Sequence, residues 1–187
     1  MERKGRAAPP AKNSLFATMA SGGRIVHQSA RESSAMYHRI LVPIDGSKTA
    51  AQGLQEAIRL AAEQKASLHI LHVIDDFPML AELSDVAAYD DVLQTLRDYG
   101  EKLLSDAQEL AAKSGVKAEV ALREVTGARV ATIVLAETKA NGCDLIVMGT
   151  HGRRGVSRLT LGSDAELVVR AAPVPVLLVR HPGTEPA

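Results

Sequence analysis

Gly149, Gly152, Gly162 and Ser163 stand at a spacing that chemistry can use, with Gly155 between them. They follow the apolar run Leu145-Ile146-Val147-Met148. A glycine directly after a buried strand leaves room for a ligand where a Cβ would obstruct it. Two further glycines three residues apart allow left-handed dihedrals, so that successive amides converge on an anion. Gly162-Ser163 then opens a helix, whose unpaired amides and positive dipole end favour phosphate. The chemistry implied is a phosphate cradle made of main chain and split in two. It is neither of the familiar glycine fingerprints. The dinucleotide pattern G-x-G-x-x-G is absent, and Gly46-Ser47-Lys48-Thr49 lacks the Gly-Lys pair of a P-loop, with Leu41 where the leading glycine belongs.

Other polar residues read two ways. Asp45 lies where a strand turns, suited to a ligand contact and equally to the local hydrogen bonds that favour Asp in turns. Ser163 with Glu166 three residues on reads as a capping box, which needs no ligand. Asp164 and Glu166 put two carboxylates in the first helical turn, competing with phosphate for the same dipole. Arg153, Arg154 and Arg158 either offset that repulsion or form a solvated loop face. His151 is a phosphate donor or a turn residue. Asp75-Asp76 could hold Mg²⁺ through water, or be a solvated loop. His69 and His72, three apart on a strand, point to opposite faces, which speaks against a chelate. Cys143, the one cysteine, excludes an intramolecular disulfide and a multi-thiolate zinc site, fits a reducing compartment, and reads as a small hydrophobe. No nucleophile stands beside a base, so no catalytic residue is assigned.

The elements that must position these residues alternate. Strands are expected at His38–Ile44, Ser67–Ile74, Val116–Val125, Asp144–Met148 and Val174–Val179. Helices are expected at Lys48–Lys65, Ala88–Lys113, Arg129–Lys139 and Asp164–Ala171. The first would set Leu54, Ile58 and Ala61/Ala62 on one helical face. In the second, Val92, Leu96, Tyr99, Leu103 and Leu110 recur near the helical period, which suggests a stripe. Strand–helix alternation with apolar runs means α/β architecture: an open doubly wound parallel sheet of five strands with helices on both faces. A closed eight-unit barrel would need about 250 residues. In an open sheet of this kind ligands bind at the carboxyl ends of the strands, which is where the glycines fall.

Composition bounds the rest. The chain has 187 residues, 46% of them apolar and 24% charged, enough for one core. Basic and acidic residues balance at 22 each, which excludes a polycation built for nucleic acid or membrane. Having no Trp, two Phe and three Tyr argues against a stacking platform for single strands. Residues 1–35 hold six basic and two acidic groups with no sustained apolar period, and read as a disordered basic tail. That tail superficially resembles a transit segment but lacks a clean amphipathic helix. The folded domain is expected over 36–181, with 182–187 as a flexible C-terminus. The segment from Asp75 to Ala87, with Phe77-Pro78-Met79-Leu80 at its tip, is long for this architecture and reads as a lid or partner surface.

From about Met36 to Arg180 the chain resembles the universal stress protein family, marked by Gly-x2-Gly-x9-Gly-Ser/Thr. Gly149, Gly152, Gly162 and Ser163 fill every position. Val42-Pro43-Ile44-Asp45-Gly46-Ser47, Leu71-His72-Val73 and Ala172-Pro173-Val174-Pro175-Val176 match as well. The resemblance implies a flavodoxin-like strand order 3-2-1-4-5 and the branch of the family that binds ATP, with Mg²⁺. By position, Asp45 and the backbone of Val73 would address adenine, Gly149 and Gly152 the ribose and phosphates, and Gly162 and Ser163 the phosphate tail. Pro43, Met148 and His151 match further contact positions. The expected function is an ATP-binding regulatory protein of the stress response in the cytoplasm, with slow hydrolysis at most. The competing readings are a structural dimer that needs no nucleotide and, behind it, an adenylyl-transferring enzyme on the same scaffold. An apolar last strand, Val174–Val179, would be an exposed edge in a monomer, so a homodimer through it is expected, with no nucleic acid or membrane partner and the protein partner unspecified.

Overall fold

The computed structural model describes residues 36–75, 86–150 and 161–180. In chain order the elements are β1 (Arg39–Pro43), α1 (Lys48–Gln64), β2 (Ser67–Asp75), α2 (Val86–Lys113), β3 (Ala118–Val125), α3 (Val130–Ala140), β4 (Leu145–Gly149), α4 (Ser163–Ala171) and β5 (Val176–Val179). The strands form one parallel sheet in the order β3-β2-β1-β4-β5. This is the doubly wound order expected.

Strand periodicity divides the core in two. Ile40, Val42, Leu68, Ile70, Leu145 and Val147 face α1 and α2, where they meet Leu54, Ile58, Leu104 and Ala107. The alternate residues Leu41, Leu71, Ile146 and Met148 face α3 and α4 and meet Val134 and Val168. Central β1 and β4 are buried on both faces, which is why their sequences are continuous apolar runs.

Three expectations about elements are corrected. The buried stripe of α2 runs through Leu93, Gly100, Leu104, Ala107 and Ala111, not through Val92, Tyr99 and Leu110, which are exposed. Gly100 explains the rotation: a Cβ there would stand 2.8 Å from both His72 Cδ2 and Leu122 Cδ1, so the helix lies close on the sheet along its small residues. Val116 precedes β3. Its amide bonds back to Ala111 O across Gly115, whose φ of 71° ends α2. β5 starts at Val176 and not Val174, because Pro173 and Pro175 have no N–H for a ladder, although Pro175 O still accepts from Ile146 N.

Candidate functional site

The carboxyl ends of β1, β2 and β4 open into a cavity of about 360 Å³. That is within the range of small-ligand sites, about 300–1,000 Å³. Pro43, Asp45, Val73, Met148, Gly149, Gly162 and Ser163 all line it. Seven positions singled out in the sequence, from four separate stretches, thus converge on one place. His151 and Gly152 lie outside the described residues, as do Arg153, Arg154, Arg158, Asp76 and the Phe77–Leu80 tip.

The β1–α1 turn holds Asp45. Its Oδ1 accepts from Ser47 N at 2.9 Å, and the Ser47 hydroxyl in turn caps α1 at Ala50 N. Asp45 therefore has the turn role and a place on the cavity wall together. Gly46 has a φ of 81°, and a Cβ there would run into the Tyr99 hydroxyl of α2, so a larger residue would have to displace Tyr99 and strain the turn.

The glycine cradle is built differently from its sequence reading. A Cβ on Gly149 would meet Thr49 C, Thr49 O and Ala50 N at 2.8–3.0 Å, all backbone of α1. Gly149 lets α1 pack on β4, where Gly53 lies opposite it, and it lines the cavity as well. The Gly162 amide donates to Thr150 O at 3.0 Å, so it is not a free phosphate donor. Ser163 does not cap its helix. Gly162 is the N-cap, Ser163 is the first helical residue, and the capping box with Glu166 is not formed. The first intrahelical bond runs from Glu166 N to Gly162 O, which leaves the Ser163, Asp164 and Ala165 amides without an intrahelical acceptor. All three residues line the cavity, and Ser163 is exposed.

Asp164 also changes role. Its Oδ1 accepts from Ala131 N at 3.2 Å, serving the open end of α3, whose N-cap Arg129 makes no side-chain cap bond. Its charge is directed at the neighbouring helix. Asp45, Asp75 and Asp164 are the acidic residues among the described lining. Glu166 points elsewhere and pairs with Arg170 at 3.5 Å.

His72, Leu96, Tyr99 and Val130 line the cavity although sequence reasoning gave them no ligand role. Val130 had a signal, since it begins a helix at the ligand edge of the sheet. Tyr99 was hidden because it reads as a member of the apolar stripe of α2. His72 and His69 do lie on opposite faces. His72 reaches Ile44 O at 2.7 Å and meets Tyr99 edge to face, with ring centroids 6.2 Å apart, whereas His69 turns to α3.

On that second face, His69 Nε2 donates to Glu137 at 3.0 Å and Arg123 Nε donates to the other carboxylate oxygen at 2.6 Å. Burial works against ionised Glu137, but these hydrogen bonds and the charges behind them hold its carboxyl below the ordinary value. Burial pushes the Cys143 thiol up to about 11, so it stays protonated at neutral pH, as expected of a small hydrophobe. Among the described residues no cluster of three or more His, Cys, Asp or Glu is arranged for a metal. No described helix is long and apolar enough to cross a membrane.

Comparison with known proteins gives the same fold and a family. The model of the universal stress protein family matches residues 36–180. Universal stress protein MJ0531 of Methanocaldococcus jannaschii is 32% identical over 171 residues, covering 91% of this chain and 98% of that protein. Among solved structures, protein MJ0577 superposes with a TM-score of 0.70 at 24% identity, over 79% of this chain and 99% of that one. The universal stress protein from Archaeoglobus fulgidus in complex with dAMP superposes with a TM-score of 0.54 at 22% identity, over 76% and 98%. At such identities the two structures speak for the fold alone. The matched span, the curated relative and the strand order agree, and the chain belongs to the universal stress protein family.

Proposed function

We propose that the chain binds an adenine nucleotide, ATP with Mg²⁺, in the cavity at the carboxyl edge of the sheet, and that it acts as a regulatory protein in the cytoplasm and not as a fast enzyme. The observation that carries this reading is the convergence of Asp45, Val73, Met148 and Ser163 on one cavity of nucleotide-site size. Apolar Pro43, Val73 and Met148 suit the faces of a base. The three amides at the start of α4 suit a phosphate, with the helix dipole behind them. The same fold holds dAMP in the Archaeoglobus fulgidus protein. The carboxylates of Asp45, Asp75 and Asp164 on the described wall suit a nucleotide that arrives with a divalent cation. The phosphates themselves would supply most of the Mg²⁺ ligands, since Asp45 and Asp164 are already engaged with backbone amides.

Without a nucleophile–base pair in the described lining, turnover is expected to be slow. ATP occupancy would bias a conformation that partners read. Calorimetric titration of the full chain with ATP, with and without Mg²⁺, tests the proposal. Saturable binding that tightens with Mg²⁺ supports it. Absence of binding under both conditions favours the nucleotide-free dimer, and rapid multiple turnover favours an enzyme.

A further inference from the structure

The ladder between β1 and β2 ends at an informative place. Ser67 N donates to His38 O, and Ile44 N donates to Leu71 O at 2.8 Å. In a parallel pair the N–H and C=O of one residue point to the same side and alternate along the strand. Odd-numbered residues of β2 therefore face β1. Even-numbered ones face β3, as the bond from Leu68 N to Lys117 O shows. The next rung would run from Val73 N to Ile44 O. It is not made: the register of the pair stops at Pro43↔Leu71, while β2 continues on its other side to Asp75↔Val125.

His72 accounts for the missing rung. Its Nδ1 lies 2.7 Å from Ile44 O, and since a carbonyl only accepts, Nδ1 carries the proton. The imidazole is buried and held from two sides. It lies flush on Gly100, where no Cβ fits, and against the edge of Tyr99. Val73, next in sequence, lines the cavity with its backbone directed to the side that β1 has vacated.

We infer that His72 is a positioning residue: by taking the Ile44 carbonyl it ends the β1–β2 ladder and keeps the Val73 amide free to donate to a ring nitrogen of a bound base. Its ligand-binding half rests on the nucleotide reading above, whereas its ladder half stands without any ligand. A base that offers an acceptor beside a donor, as adenine does at N1 and its amino group, fits the neighbouring N–H and C=O of Val73. The side chain of Val73 takes no part in this, so residue 73 tolerates other apolar residues while position 72 needs a donor.

Residue-resolved amide exchange by NMR, on the full chain without nucleotide, tests the ladder half. The Val73 amide is expected to exchange at least about tenfold faster than that of Leu71, and to slow in His72→Leu as it claims the released carbonyl. Equal protection of Val73 and Leu71 in the wild type would overturn the inference. Titrations with ATP and 1-deaza-ATP, which lacks the N1 acceptor, test the other half. Wild type is expected to prefer ATP by about tenfold, the worth of one hydrogen bond. His72→Leu should lose that preference, and His72→Asn, which keeps a donor, should recover it to within about threefold. A merely structural role would weaken both nucleotides equally in His72→Leu, and that result would overturn the inference. If Val73 exchanges freely and ATP does not bind, the nucleotide reading falls and the ladder role of His72 stands.

Discussion

Gly149 and Ser163 belong to one sequence motif and do different work. Gly149 makes room for the α1 backbone at 2.8–3.0 Å, so a methyl group there forces the helix off β4. Gly149→Ala is expected to lower unfolding stability by about 1–3 kcal/mol, as overpacking does, with Gly149→Val worse. Urea denaturation followed by circular dichroism measures this, and wild-type stability in Gly149→Ala would refute the packing role. Ser163, at the start of α4 and exposed, can be changed without that cost. Both residues were legible as a motif, because their spacing is a local signal, and both line the cavity. That spacing did not separate their roles, because the Gly149 partner is the main chain of Thr49 and Ala50, a hundred residues away and silent in any side-chain pattern. Asp164 was opaque for the same reason: its bond to Ala131 N exists only once α3 and α4 lie side by side.

Between elements, the packing of α3 on β2 and β3 carries a charge cluster that titrates. Glu137 bonds to His69, Arg123 and Asn141 and has a carboxyl held below its ordinary value of 4.5. A group whose folded pKa is depressed stabilises the fold above its unfolded pKa and loses that contribution as pH falls through the folded value. Stability is therefore expected to decline as pH drops below about 4.5. Glu137→Gln should cost about 1–2 kcal/mol at pH 7 and flatten that acid limb. Thermal melts of both proteins across the acid range check this, and parallel curves would contradict it. Element order and type were legible, since strand-like and helix-like stretches alternate along the chain between turn signals. The face of α2 was not. Val92, Tyr99 and Leu110 repeat at the helical period as well as Leu93, Leu104 and Ala111 do, and the choice was made by Gly100 against His72 and Leu122.

At the scale of the whole molecule the sheet has two edges of opposite character. β3 carries Glu119, Arg123 and Glu124, paired with Arg39, Glu137 and Arg97, and such charges discourage further strands. β5 carries Val176, Leu177, Leu178 and Val179, none of them buried, with Leu177 exposed. We expect the full chain to be a homodimer through β5, and Leu177→Lys to shift it to monomer in sedimentation velocity. A wild-type monomer at micromolar concentration would refute the dimer. The cavity lies at the carboxyl ends of β1, β2 and β4, and β4 pairs directly with β5.

The central claim is that this mouth holds the phosphates of a nucleotide on the amides that open α4. Paired ATP titrations of the wild type and Ser163→Glu, in Mg²⁺, address it most directly. A glutamate at the first turn favours the helix dipole and so preserves the fold, while it sets a negative charge where phosphate would sit. The account predicts saturable binding to the wild type and at least about tenfold weaker binding to the variant, the effect of one like-charge contact. Equal affinity in the two proteins would contradict it.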